Sequence, residues 1–443
     1  MFAALEGSIG MLGAEPVDDP KVLAQIGSDW LHVMLQAGEA RQAAKSPAEL
    51  EQVRKEFAAQ EQPFIDSCLA LSREHANDWI GIAALNLVAC RSPKTDQGKQ
   101  ALASLIKHAE TASLDDLAKG LYASTNTSSR PIQQLGSIIL DRVKKAPDHP
   151  QAARLLASVV CGIAVDSNES AKAPPEFIET ADLIVERYAD SQDIVNFCEY
   201  LGPTYGSPIW AAPFEKHLRA ILEQNPHREV KAVAHFALAS VVQGTTEVRQ
   251  AEAATLYEEF VAKYDGSEDY YFADIEKALN ESARTALQEI RSRGLGKPAP
   301  EIDGVDLAGQ GMKLSEQRGK VVLLSFWATW CGPCMKMIPH EREMTTRLDG
   351  KPFVIIGVNA DADLQSAKDA VAKHGVTWRS FRDTREEHGP SISEEWVVGF
   401  PTFYLIDQQG IIRKRWIGDQ PPEEMNALID HLLDVQAAGA TSK

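Results

Sequence analysis

The sequence predicts two domains of different class: an α-helical, repeat-like N-terminal domain and an α/β C-terminal domain whose mixed central sheet carries helices on both faces. Three observations carry this. From about Asp19 to Ile290 apolar residues recur at every third and fourth position, as in "DLIVERYADSQDIVNFCEYL" and "AATLYEEFVAKY", which is the period of an amphipathic helix. "RSRGLGKPAPEIDG" (291–304) then breaks the pattern with Gly294, Gly296, Pro298 and Pro300. Beyond it, apolar runs of strand length alternate with helical segments. A chain of 443 residues has room for two such domains and their cores. The expected boundaries are a tail at 1–18, a helical domain at 19–290, a linker at 291–300, the α/β domain at 301–436 and a tail at 437–443.

In chain order, the first stretch, "MFAALEGSIGMLGAEP", is weakly apolar but lacks a basic start and is interrupted by Glu6, so it makes a poor secretory signal. No apolar run approaches the roughly 18 to 20 residues that cross a bilayer. Ser46-Pro47-Ala48-Glu49 reads as a helix start: a serine cap, proline in the first turn and glutamate three residues on. Ser113 with Asp116 is a weaker version. "KAPDHPQAARLLASVV" (145–160) and "EQNPHREVKAVAHFALASVV" (223–242) share a proline-bearing turn, a histidine and a helix ending Leu-Ala-Ser-Val-Val. With a looser match between them, the implied spacing is about 40 residues, which suits stacked helical hairpins of the tetratricopeptide or HEAT kind. Such stacks commonly present a concave surface to a protein partner; a helical bundle that only supports the other domain is the alternative.

In the last third, "KVVLLSFWA" (320–328) is a continuous apolar run, expected as a buried central strand. "PFVIIGVNAD" (352–361) is a second strand, and "FYLIDQQGIIRKRWIG" (403–418) reads as a hairpin turning at Gln-Gly. Helices are expected at 333–348, 364–374 and 422–436. The basic triplet Arg413-Lys414-Arg415 is expected to be a solvated strand face.

The net charge of −18, with 44% hydrophobic and 24% charged residues, describes an ordinary globular protein without the basic face that nucleic acid or anionic membrane would need. Of six cysteines, Cys68, Cys90, Cys161 and Cys198 are solitary within helical patterns and are expected to be small buried hydrophobes. Cys331 and Cys334 are different, lying two residues apart in "FWATWCGPCMKMIP". A structural zinc site would need two more ligands, and His340 and His374 follow no ligand spacing, so no metal is expected. A purely structural disulfide would close too short a loop to restrain the unfolded chain much. A redox pair fits: Cys331 follows a buried strand and opens a helix, whose N-terminal N–H groups and dipole stabilise a thiolate, with Cys334 one turn on. Pro333 has no N–H to lose there.

Trp330-Cys331-Gly332-Pro333-Cys334 resembles the thioredoxin active site. Pro339 matches that fold's helix-kinking proline, and "GFPTFYLID" (399–407) resembles the segment holding its cis-proline, here Pro401. "GKPAPEIDGVDLAGQGMKLSEQRGKVVLLSFWATWCGPC" (296–334) is similar, more narrowly, to the TlpA/ResA group of redoxins, which are bacterial thiol-disulfide oxidoreductases. The resemblance covers about 296–436. It implies a thioredoxin-like fold and no cofactor beyond the Cys331–Cys334 disulfide. It also implies that Cys331 attacks, Cys334 resolves, and Pro401 lies against the disulfide and keeps metal out. The backbone at Phe400 would pair with an extended substrate, and Trp330, Gly332 and Pro333 would face it. The partners implied are a protein disulfide substrate and an upstream thiol electron donor.

Three departures stand out. Ser325 occupies the place of the buried aspartate of thioredoxins proper; Asp361 or Asp363 could supply the acid, with Asp361 expected as the proton acceptor for Cys334, or both could be solvated loop acids. Phe400 stands where small or β-branched residues are common. "EEHGPSISEEWVVG" (386–399) is longer than the usual connection, either a lid or a neutral insertion. A peroxidase pattern would need threonine or serine at Ala328 and proline at Leu324, so a dedicated peroxiredoxin is excluded. The expected function is reduction of protein disulfides, with the helical domain recruiting a partner. The alternative is a non-enzymatic helical scaffold or redox sensor with the redoxin as a docking module. The resemblance points to the cell envelope, whereas four unpaired cysteines are easier to keep in a reducing compartment.

Overall fold

A computed structural model of the chain describes residues 18–43, 47–122, 130–166, 175–201, 212–244, 246–264, 266, 270–383, 391–397, 399–418 and 420–440. The N-terminal part is helical throughout: α1 (Asp18–Ala43), α2 (Pro47–Glu74), α3 (Trp79–Arg91), α4 (Asp96–Thr111), α5 (Leu114–Tyr122), α6 (Arg130–Lys145), α7 (Ala152–Asp166), α8 (Pro175–Tyr188), α9 (Val195–Leu201), α10 (Glu215–Gln224), α11 (Arg228–Gln243), α12 (Gln250–Lys263) and α13 (Tyr270–Arg293). Side chains set several starts. Asp78 accepts the Ile80 and Gly81 N–H groups at the head of α3, Thr95 accepts from Gly98 at α4, and Ser113 accepts from Asp116 at α5. Pro47 opens α2 with Glu49 in its first turn, while Ser46 lies outside the described residues.

Most helices pack chiefly on their neighbours in sequence, while α5 packs on α3 and α9 on α7 and α11, around one continuous apolar core in which α3, α7 and α11 are the most enclosed. This is the arrangement of stacked hairpins. Ion pairs tie one hairpin to the next at separations of 33–35 residues: Lys144 with Glu179, Lys216 with Asp182, Arg249 with Glu215, Arg219 with Glu252, and Arg291 with Glu258. The ladder is nearer the 34-residue tetratricopeptide length than the spacing of about 40 read from the Leu-Ala-Ser-Val-Val match. Cys68, Cys90 and Cys198 are buried and unbridged, and burial pushes the Cys68 thiol up to about 12. The side chain of Cys161 lies outside those described.

The C-terminal part begins with a hairpin of β1 (Asp303–Val305) and β2 (Gly311–Lys313). It continues through β3 (Val321–Trp327), α14 (Gly332–Arg347), β4 (Phe353–Asn359), α15 (Leu364–His374), β5 (Ser380–Arg382), α16 (Ile392–Trp396), β6 (Thr402–Ile406), β7 (Ile412–Ile417) and α17 (Pro422–Ala440). The sheet order is β5-β4-β3-β6-β7, with β3, β4 and β5 parallel and β6 and β7 antiparallel. β3 is central and buried along its whole length, as an uninterrupted apolar run requires. Its alternate residues serve two cores: Val322, Leu324 and Phe326 on one face, Val321 and Leu323 against α14 and α17 on the other. The expected hairpin turns at Asp407–Ile411, where the Asp407 carboxylate accepts the Gln409 and Ile411 N–H groups and Gly410 takes a positive φ of 83°. Of the long connection at 386–399, residues 391–397 and 399 are described, and they contain α16.

The triplet 413–415 is not the solvated face expected. Arg413 donates to Glu247 of the helical part at 2.7 Å and to Asp407 at 2.7 Å. Arg415 is nearly buried against Glu289 of α13. The two arginines of the expected solvated face instead meet carboxylates of the helical part, Glu247 just ahead of α12 and Glu289 on α13.

Candidate active site

The end of β3 and the start of α14 build the site. Trp327 packs beneath both cysteines with Ala328 and Ile338. The chain then turns, and Cys331 takes the cap position of α14, its Sγ accepting the Cys334 N–H at 3.1 Å. Pro333 lies in the first turn, where helices tolerate a missing N–H. Cys331 and Cys334 are joined as a disulfide. They are 5% and 2% exposed, so Cys331 is the slightly more exposed residue of the two. Gly332 faces open space: a Cβ built there would meet nothing within 4 Å.

The Phe400–Pro401 peptide bond is cis, at the head of β6 and the same end of the sheet. The Gly418 N–H donates to the Pro401 carbonyl, and the Thr402 hydroxyl donates to Gly399. Among the described residues none hydrogen-bonds the Phe400 backbone. Trp330 is 59% exposed, and its ring meets the Phe400 ring edge-on at 5.3 Å. The pair forms an apolar wall beside the disulfide.

Asp361 is buried, and its oxygens are engaged by the turn before the cysteines. The Thr329 N–H and hydroxyl donate to it at 3.0 and 2.7 Å, and Asn359 Nδ2 donates at 2.7 Å. Asp363 caps α15 through the Ser366 N–H. Asp361 is thus engaged by the turn before the cysteines and Asp363 by the first turn of α15.

A different carboxyl stands in the core on the same helix, about two turns along α14 from Cys334. Glu341 lies on the buried stripe of α14 with Cys334, Met337, Ile338 and Met344. Positions 334, 338 and 341 share one helix face, pointed at the sheet. Opposite them, Ser325 comes between Leu323 and Trp327 on the α14 side of β3. Glu341 is 2% exposed, and its Oε1 has no partner among the described residues. Burial pushes this carboxyl up to about 7, opposed by a hydrogen bond with Ser325. The departure at Ser325 and the acid at Glu341 are therefore one feature. The signal in the sequence was an acid at a core position of an amphipathic stripe.

Among the described residues no three of His, Cys, Asp and Glu gather as a metal site would require, and no helix is long and apolar enough to cross a membrane.

The redoxin family profile matches residues 295–430. The thiol-disulfide oxidoreductase ResA of Bacillus thuringiensis (strain Al Hakam) is 33% identical over 136 residues, which is 30% of this chain and 76% of that protein. The thioredoxin-like protein YneN of Bacillus subtilis (strain 168) is 29% identical over 142 residues, covering 30% of this chain and 78% of that one. Among solved structures, the thioredoxin domain of a thiol-disulfide oxidoreductase from Bacteroides vulgatus aligns with 27% identity and a TM-score of 0.29, covering 32% of this chain and 99% of that one.

Proposed function

The chain belongs, through its C-terminal third, to the redoxin family of thiol-disulfide oxidoreductases, and from that premise we propose that its Cys331–Cys334 pair reduces disulfides in extended segments of proteins. The observation that carries this is the placement of Cys331 at the N-cap of α14, beside a cis-proline turn whose Phe400 backbone is open to a partner strand. An extended substrate adds to that backbone, with Trp330 and Phe400 flanking the sulfur and Gly332 leaving the approach unobstructed. The reduced Cys331 thiolate, favoured by the α14 N-terminus, attacks one substrate sulfur. The other substrate sulfur leaves as a thiolate and takes a proton from solvent. Cys334 then loses its proton and attacks Cys331 Sγ. The second substrate thiol departs, and the Cys331–Cys334 disulfide remains. An upstream dithiol returns the pair to the reduced state.

Cys334 is buried and needs an acceptor for its proton. We assign that role to Glu341 in place of Asp361, acting through a relay because about 10 Å of helix separates it from Cys334: Glu341 shares the stripe of Cys334 and has an oxygen without a partner. Asp361 instead holds the turn at Thr329. No step requires a bound cofactor.

The test is the reduction potential of the pair, by equilibration in dithiothreitol buffers with thiols counted by mass spectrometry. A Gly-Pro dipeptide between the cysteines leads us to expect a value near the roughly −270 mV of thioredoxin; a value above about −170 mV would make the protein an oxidant and overturn the reading.

A further inference from the structure

The two parts of the chain meet around a cluster of aromatic rings that the chemistry above does not use. Tyr404 is wholly buried on β6, and its hydroxyl donates to the Trp396 carbonyl at 2.8 Å. Trp396, Tyr404 and Phe326 form a triangle of rings with centroids 5.2 to 6.1 Å apart. Phe400 packs against the hydrophobic core that contains these rings and also bears on Trp330 at the mouth of the site. From the other side α13 supplies two charged residues. The Arg293 guanidinium lies over the Trp396 ring at 5.9 Å, with its Nε buried and unpartnered. Glu289 pairs with Arg415, whose own guanidinium lies over Tyr404 at 5.7 Å. Burial pushes the Tyr404 hydroxyl up, and a hydrogen bond with Arg293 opposes that push.

We propose that the end of α13, through Arg293 and Glu289, positions the Trp396–Tyr404 cluster and with it Phe400, so that the helical domain sets how the redoxin site holds a protein substrate. Each link is a packed contact: guanidinium on indole, indole on phenol, the core that contains these rings on Phe400, and Phe400 on Trp330. A cation over a desolvated aromatic face is a directional contact, and it fixes where the ring stands. Cys331 and Cys334 belong to a different packing cluster, on the α14 side of the sheet, and Phe400 packs against both clusters. Arg293 reaches the cysteine cluster only by way of Phe400, so we class it as a positioning residue for substrate, and the reduction potential is the readout that would show an effect on the disulfide.

The inference rests on the reductase reading, and the experiment separates the two. The full chain is assayed with dithiothreitol as electron donor on insulin, a protein disulfide, and on oxidised glutathione, a small one that needs no strand pairing, each corrected for the uncatalysed rate. For Arg293→Ala we expect KM for insulin to rise at least fivefold, with kcat within twofold of wild type. Turnover of the small disulfide and the reduction potential should be unchanged. Arg293→Lys, which keeps a cation over the indole, should recover most of the KM. Should Arg293→Ala fail to fold, Arg293→Gln keeps the stem on the ring and removes the charge, with the same expectation. A wild-type KM for insulin in a folded charge-removing variant overturns the inference, as does an equal loss on both substrates. Wild-type protein that reduces neither substrate overturns the reductase reading itself.

Discussion

Glu341 stands in a buried stripe of α14 where an amphipathic helix would ordinarily carry an aliphatic side chain, and that position dictates its chemistry. A carboxylate loses its hydration there, so the neutral form is favoured and protons are held until about pH 7. The native carboxyl binds its proton more tightly than the unfolded one. The stability this contributes is complete below the ordinary glutamate value of 4.5 and is lost as pH rises through about 7. Over that window the loss amounts to about 3 kcal/mol. Denaturant melts of the oxidised protein should show it, and Glu341→Gln should flatten the slope; an unchanged slope would place the titration on another group. In single-turnover reduction, release of product from the mixed disulfide should quicken as Glu341 ionises near pH 7, and Glu341→Gln should slow it about tenfold or more and remove the inflection. At this scale the two cysteines and the proline before β6 were legible as a motif. Glu341 was legible only as a misfit, because a stripe says that a side chain is buried but not which strand residue it will face. Ser325 and Glu341 are 16 positions apart, and the sheet brings them together.

Among the elements, the helices were the more readable. Their starts follow from serine, threonine and aspartate caps, and their faces from the apolar period. The three-residue strands β1, β2 and β5 went unseen because alternation cannot show itself over so few residues, and α16 was read as part of a connection. The tightness of the helical turns was also invisible. A Cβ at Gly98, in the first turn of α4, would lie 1.9 Å from the Ser92 carbonyl oxygen, which is backbone and cannot swing aside. Gly38 in α1 would meet nothing within 4 Å. Gly98→Ala should therefore destabilise by about 1–3 kcal/mol, whereas Gly38→Ala, in an open helix interior, should stabilise by about 0.5–1 kcal/mol. Urea titrations of the two variants check both signs, and destabilisation by Gly38→Ala would mean that α1 has a neighbour on that side.

The molecule as a whole is joined through β7. The linker strand pairs with the β6–β7 turn, where the Ala299 N–H donates to Gly410 and the Gly296 N–H donates to Ile412. Arg413 and Arg415 then reach Glu247 and Glu289. Burial lowers the Arg415 guanidinium to about 10. A buried ion pair adds little net stability, but removing one partner strands the other charge. Glu289→Ala should cost about 3–5 kcal/mol, and combining it with Arg415→Met should restore most of that. Guanidinium denaturation midpoints of the two variants decide it: a single variant as stable as wild type would mean that water reaches Arg415.

By itself, the sequence determined the division into a helical and an α/β part, the central strand, the redox pair and the place of the cis-proline, because each depends on residues near one another along the chain. Periodicity, caps and a five-residue motif are local quantities. Only the tertiary structure decided that Glu341 is buried opposite Ser325, that Asp361 accepts from the Thr329 turn, and that Arg413 and Arg415 face carboxylates instead of water. Those depend on which faces meet after the chain has folded, and burial and pairing between residues far apart in sequence have no local signature.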